Sequence, residues 1–159
     1  MRIRPLAARD QALLWDLLHV ALWDPPPAGP RPRAVLDLPE VRIYAEHRGR
    51  SGDVGVLGED DHDAAIGACW MRLIDGGRGL AYVDDATPQL GIAVLPPFQR
   101  RGHGAQLLRG ALDAARDHGH RQVSLTVHPD NPAIALYERF GFRSIDRRRS
   151  YHLMIATLA

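Results

Sequence analysis

Leu90-Gly91-Ile92-Ala93-Val94-Leu95-Pro96-Pro97-Phe98-Gln99-Arg100-Arg101-Gly102-His103-Gly104-Ala105 is the stretch that decides the fold. The apolar run Leu90–Leu95 is the length of a buried strand, and Pro96-Pro97 closes it. From Gln106 to His118, Leu107, Leu108, Ala111, Leu112 and Ala115 recur at helical spacing. The unit is strand, glycine-bearing turn, helix. Such a turn presents free backbone N–H groups at the positive end of a helix dipole. That is an anion site, and phosphate is its usual occupant. Gly102 and Gly104 lack the Cβ that would keep backbone from a phosphate or resist a positive φ. Arg100 and Arg101 add cationic donors, so the stretch reads as a pyrophosphate cradle.

Spacing separates the glycine-loop patterns. A Walker loop ends in Gly-Lys-Ser/Thr, and this chain contains no lysine. A dinucleotide fingerprint needs a third glycine where Leu107 stands. The pattern Q/R-x-x-G-x-G/A remains, and Gln99 to Gly104 fits it in full. Further on, Arg121–His128 alternates as a strand, and Pro129-Asp130-Asn131-Pro132 breaks it. A short helix, Ala133–Phe140, then ends at Gly141-Phe142.

The first motif resembles the coenzyme A loop of the GCN5-related N-acetyltransferase (GNAT) superfamily. The run Asn131–Phe142 is similar to that superfamily's second acetyl-CoA motif, in the expected order. The resemblance implies acetyl-CoA as co-substrate and an amine, on a small molecule or a protein, as acceptor. It implies that Gln99, Arg100, Arg101, Gly102, His103, Gly104 and Ala105 hold the pyrophosphate. Backbone of Ile92, Ala93 and Val94 would pair with the pantetheine arm, with the Val94 N–H facing the thioester oxygen. Asn131 and Ala133 would border the cofactor's far side, and Tyr137 would protonate the departing thiolate. A phenol with a pKa near ~10 keeps its proton at neutral pH and can donate it. The competing role for Tyr137 is a core tyrosine.

The rest of the chain fits one domain over residues 1–159. A net charge of +1 offers no general attraction to nucleic acid or to a membrane surface. The single cysteine, Cys69, allows no internal disulfide, and no apolar run approaches the roughly 20 residues of a membrane span. With no cationic-apolar signal at its start, the chain is expected in the cytoplasm.

In order, Met1–Leu6 reads as an edge strand and Ala8–Leu22 as an amphipathic helix. Asp24–Pro32 is a proline-rich connection, which in GNAT-like folds borders the acceptor pocket, with Trp23 beside it. A second helix is expected over Val35–His47, and strands over Val54–Leu57, Ala64–Ile74 and Gln89–Leu95. Glu59–Asp63 reads as a solvated turn, not a metal site. The basic run Asp146–Ser150 reads as a turn between the last two strands. The fold class is α/β (α+β), a mixed sheet of about seven strands with helices on both faces, β-α-α-β-β-β-α-β-α-β-β.

The general base stays open. Many GNAT relatives carry a glutamate near the start of the fourth strand, and this chain has Gln89. Asp84, Asp85, His128 or a water relay remain, His128 with an ordinary pKa near ~6.5. Two other classes stand beside the enzyme: an acyl-CoA-binding sensor without turnover, and a scaffold module. Pairing of two copies through the last strands is common in such folds.

Overall fold

The computed structural model describes residues 1–158. Seven strands form one mixed sheet: β1 (Arg2–Pro5), β2 (Val54–Glu59), β3 (Ala65–Arg72), β4 (Gln89–Val94), β5 (Gln122–Val127), β6 (Arg143–Arg148) and β7 (Tyr151–Thr157). Their order is β1-β2-β3-β4-β5-β7-β6, antiparallel everywhere except between β4 and β5. This is the expected mixed sheet, with helices on both faces.

Strand periodicity assigns the two faces. Val54, Val56, Cys69, Met71 and Leu90 point to one side, where α3 (His103–Asp117) and α4 (Ala133–Arg139) bury Leu107, Leu108, Ala111, Leu112 and Tyr137. Leu57, Ala68, Trp70 and Ala93 point to the other, where α1 (Gln11–Ala21) buries Leu14, Leu17 and Leu18. The helices therefore carry apolar stripes spaced as the sequence predicts.

Three expectations need correction. The segment read as a helix over Val35–His47 is a 3-10 turn, Arg33–Asp37, then a four-residue helix α2, Pro39–Arg42. Pro39 is the cause. It disfavours helical backbone at Leu38, which is extended at φ −72° and ψ 129°, so the two pieces cannot merge. The basic run Asp146–Ser150 is not a turn throughout. Asp146, Arg147 and Arg148 belong to β6, opposite Leu153, His152 and Tyr151, and only Arg149-Ser150 turns. Charge here marks an edge strand exposed along almost its whole length, where arginines discourage further pairing. Finally, α3 starts at His103 and not at Gln106, because Gly102 takes φ +85° and caps it.

A buried ion cluster fastens the end of β3. Arg72 is bidentate on Asp53 at 2.8 and 2.9 Å and also donates to the carbonyls of Ile43, Glu46 and His47. These bonds stitch the chain after α2 to β2 and β3, and that chain carries Tyr44 to the site described next.

Candidate active site

Strands β4 and β5 meet at one register pair, Gln89 and Ser124, and diverge beyond it. Leu95 N–H bonds to Ile66 O at 2.8 Å, so alternation turns the backbone groups of Ala93 and Gly91 toward β3. A Cβ on Gly67 would collide with the Ala93 carbonyl, which confirms that direction. Ile92 and Val94 therefore direct their N–H and C=O into the cleft, and Gln99 Nε2 donates to Val94 O at 2.8 Å. Of the three residues expected to pair with an extended arm, Ala93 has its backbone committed to β3.

At the open end of this cleft lies the N-terminus of α3. No side chain caps it and no acidic residue sits in its first turn, so its leading N–H groups face outward unshared. A Cβ built on Gly102 meets nothing within 4 Å, and its φ of +85° is one that glycine adopts freely. Arg100, at φ +63°, and Arg101 are exposed beside it. Gly104 and Ala105 continue the first turn, and Leu136 of α4 lies 3.6 Å from where a Gly104 Cβ would sit. His103 is half-buried, with its Nδ1 enclosed and unpartnered among the described residues. Residues 99–105 thus fit a pyrophosphate: free N–H groups, arginines, and open space at the glycine.

A cavity of about 450 Å³ opens from the cleft toward the α1 face. Ile92, Leu125 and Tyr137 form its inner end, and Trp23, Arg31, Glu40 and Tyr151 reach it from outside. Tyr137 is 7% exposed and packs edge-on against Phe142, with ring centroids 5.8 Å apart. Burial pushes its phenol above the ordinary tyrosine value, so it stays protonated. No described residue hydrogen-bonds that hydroxyl, and it borders the cavity. Asn131 also lines the cavity, but its Oδ1 accepts the Ala133 N–H at 2.9 Å, so the two residues first serve to start α4.

The base candidates separate cleanly. Asp84 caps its own turn through Ala86 N–H and the Thr87 hydroxyl, and Asp85 accepts from the Tyr82 hydroxyl; both are exposed and outside the cavity. His128 lines it, but its Nδ1 accepts the Asp130 N–H at 3.0 Å. A backbone N–H can only donate, so the neutral ring carries its proton on Nε2 and offers a donor, not a base. Gln89 is fully buried, with Oε1 accepting from the Tyr44 hydroxyl at 2.6 Å and Nε2 donating to Arg78 O at 2.9 Å. It is a structural clamp. Cys69 is buried and its thiol is pushed up by desolvation, which makes it an inert core residue.

Sequence reasoning missed Tyr44, Glu40 and Tyr151 as site residues, while Trp23 and Arg31 line the cavity as the expected place of the proline-rich connection requires. Arg31 is held by Asp24 at 2.9 Å and by the Tyr151 hydroxyl at 3.2 Å, and its carbonyl by His19 at 2.6 Å. Trp23 and Tyr151 both meet the His128 ring edge-on, at 5.6 and 6.0 Å. The proline-rich connection is thereby tied across the cavity to β7. Only the proline run, which forces an extended path beside Trp23, signalled this in the sequence.

The profile of the acetyltransferase (GNAT) family matches residues 15–142. An N-alpha-acetyltransferase from Sulfolobus acidocaldarius is 40% identical over 69% of this chain and 68% of its own. A [ribosomal protein bS18]-alanine N-acetyltransferase from Escherichia coli is 41% identical over 52% of this chain and 60% of its own. N-alpha-acetyltransferase RimI from Mycobacterium tuberculosis is 45% identical over 57% and 59%. This chain thus spans about two thirds or less of these relatives' lengths. Among solved structures, a PaiA N-acetyltransferase from Thermoplasma acidophilum in complex with coenzyme A superposes with a TM-score of 0.68, covering 98% of each chain at 16% identity. YncA from Salmonella typhimurium, with acetyl-CoA, gives 0.69 at 20% identity over 100% and 94%. These two share the fold.

Proposed function

Because this chain belongs to the acetyltransferase (GNAT) family, we propose that it moves the acetyl group of acetyl-CoA directly onto the α-amine of a protein N-terminus. The observation that carries the reading is the splay of β4 from β5, with the Tyr137 hydroxyl at the inner end of the cavity that the splay opens. The acceptor class is supported by relatives at 40–45% identity, which are N-alpha- or ribosomal-protein-alanine acetyltransferases. The proposal takes residues 1–159 as one acetyltransferase domain in the cytoplasm, without a metal, nucleic-acid or membrane partner. No described helix is long and apolar enough to cross a membrane.

Acetyl-CoA supplies the thioester. Residues Gln99–Ala105 hold its pyrophosphate on the free N–H groups of α3, and Ile92 and Val94 offer backbone pairing to the arm. Ile92, which borders the cavity where Val94 does not, is the N–H donor best placed for the carbonyl oxygen. Asn131 and Ala133 form the far wall through the start of α4. Tyr137 holds a proton beside the leaving sulfur. Alignment of amine and carbonyl in the cavity contributes the rest, since orientation can be worth several kcal/mol.

The test is mass spectrometry of peptides with Ala, Ser or Met first, each with a free or an acetyl-blocked N-terminus, incubated with acetyl-CoA. Acetylation of the free α-amine alone supports the reading. Modification confined to lysine side chains, or none, overturns it.

A further inference from the structure

An acceptor ammonium must lose a proton before it can attack, and neither Gln89, His128, Asp84 nor Asp85 can collect it in this arrangement. Among the residues lining the cavity, Glu40 is the only carboxylate. It stands in the first turn of α2, exposed at the mouth, and forms no ion pair with any described residue. Its neighbours in sequence are otherwise engaged: Asp37 approaches Arg42, and Glu46 approaches Arg42 and Arg50. Across the cavity the carboxylate Asp24 is consumed by Arg31. A free carboxylate at the entrance of a cavity that admits an amine is a receiver for that amine.

We propose that Glu40 receives the acceptor: it pairs with the incoming ammonium and takes its proton, the role that the buried clamp Gln89 leaves open. This rests on the acetyl-transfer reading above. The proton balance is complete. One ammonium proton passes to the Glu40 carboxylate, directly or through water, and then to bulk solvent. The neutral amine attacks the thioester carbonyl, a C–N bond forms and the C–S bond breaks. The sulfur takes the Tyr137 proton, and the proton shed by the new amide nitrogen restores the phenol. The titratable and charged groups that share the cavity with Glu40 are Arg31, Tyr44, His128, Tyr137, Arg149 and Tyr151.

The test compares wild type, Glu40→Gln and Glu40→Asp by CoA release from acetyl-CoA, with a Ser-first peptide and with 2-phenylethylamine, from pH 6.5 to 9. Glu40→Gln should raise the acceptor KM about tenfold near neutral pH. It should leave the acetyl-CoA KM and the melting point unchanged. The deficit should shrink as pH rises and more amine arrives neutral, and Glu40→Asp should recover part of the loss. A deficit independent of pH, one shared with acetyl-CoA, or no deficit overturns the role of Glu40. Wild-type turnover of 2-phenylethylamine alone overturns the protein-acceptor reading and leaves Glu40 readable on that amine. Turnover of neither probe overturns both.

Discussion

Gln89 and Ser124 form the one register pair between β4 and β5, and the side chains of both are spent on bracing it. Gln89 joins the Tyr44 hydroxyl to the Arg78 carbonyl, and Ser124 Oγ donates to Ala81 O at 2.6 Å. The β3–β4 connection is thus pinned over the apex of the cleft, which fixes where the strands begin to part. Replacing Gln89 with Leu keeps the volume but removes the acceptor of the Tyr44 hydroxyl proton and the donor to the Arg78 carbonyl, leaving the hydroxyl only the Ala81 N–H. Urea unfolding should show a loss of roughly 3 kcal/mol. The acceptor KM should rise, since Tyr44 and Leu80 line the cavity. An unchanged unfolding midpoint would remove the clamp from the account.

Tyr137→Phe should lower kcat by about a hundredfold while acetyl-CoA binding stays as in wild type, because only the proton donor is lost. Burial raises the phenol above its ordinary value, so its protonated form persists upward in pH. The wild-type rate should therefore show no fall assignable to Tyr137 below pH ~10. Pre-steady-state CoA release in both proteins measures this; equal rates would return Tyr137 to the core.

Arg31 latches the proline-rich connection to β7 through the Tyr151 hydroxyl. Tyr151→Phe removes that bond while keeping the ring against His128. The expected result is a several-fold higher acceptor KM, with kcat at saturation and acetyl-CoA KM unchanged. Steady-state kinetics with the Ser-first peptide decides it, and an altered acetyl-CoA KM would contradict the assignment.

Asp53 sits beside Arg72 and Arg48, its side chain 4% exposed. Burial alone would raise its pKa, but the hydrogen bonds from Arg72 and Gly49 and the two guanidinium charges outweigh it, and the net shift is downward. A depressed carboxylate stabilises the fold above the ordinary range near ~4, and that contribution is lost as pH falls through its folded value. Asp53→Asn leaves two buried cations uncompensated and should cost about 3–5 kcal/mol at pH 7. The cost should diminish in acid, where wild type loses the same charge. Urea unfolding followed from pH 7 down to pH ~2, below the ordinary carboxylate range, would reveal a pH-independent cost if this is wrong.

The strand-turn-helix unit around Gly102 and the short helix α4 were legible because they are local. A strand, a glycine cap and an amphipathic helix are written in contiguous residues, and Gly102 caps α3 as its place in the motif requires. Beyond the proline-rich connection and Trp23, the wall of the cavity was illegible because it is assembled from afar. Arg31 and Tyr151 are 120 positions apart, and Tyr44 and Gln89 are 45 apart. The mistaken second helix has a physical cause in Pro39, whose effect on Leu38 outweighs the apolar periodicity around it. The arginines of β6 resemble a solvated turn, since an exposed edge strand and a turn both favour charge.

The measurement closest to the central claim is the melting temperature with and without excess acetyl-CoA, for wild type and for Gly102→Glu. A ligand at one hundred times its Kd stabilises the folded state by about 2.7 kcal/mol, which a melting curve resolves. A glutamate at Gly102 puts a carboxylate and a strained φ where the free N–H groups of α3 await an anion. The melting temperature should rise clearly in wild type and not at all in the variant. No rise in wild type, or an equal rise in both, would contradict the cradle and the acetyl transfer built upon it.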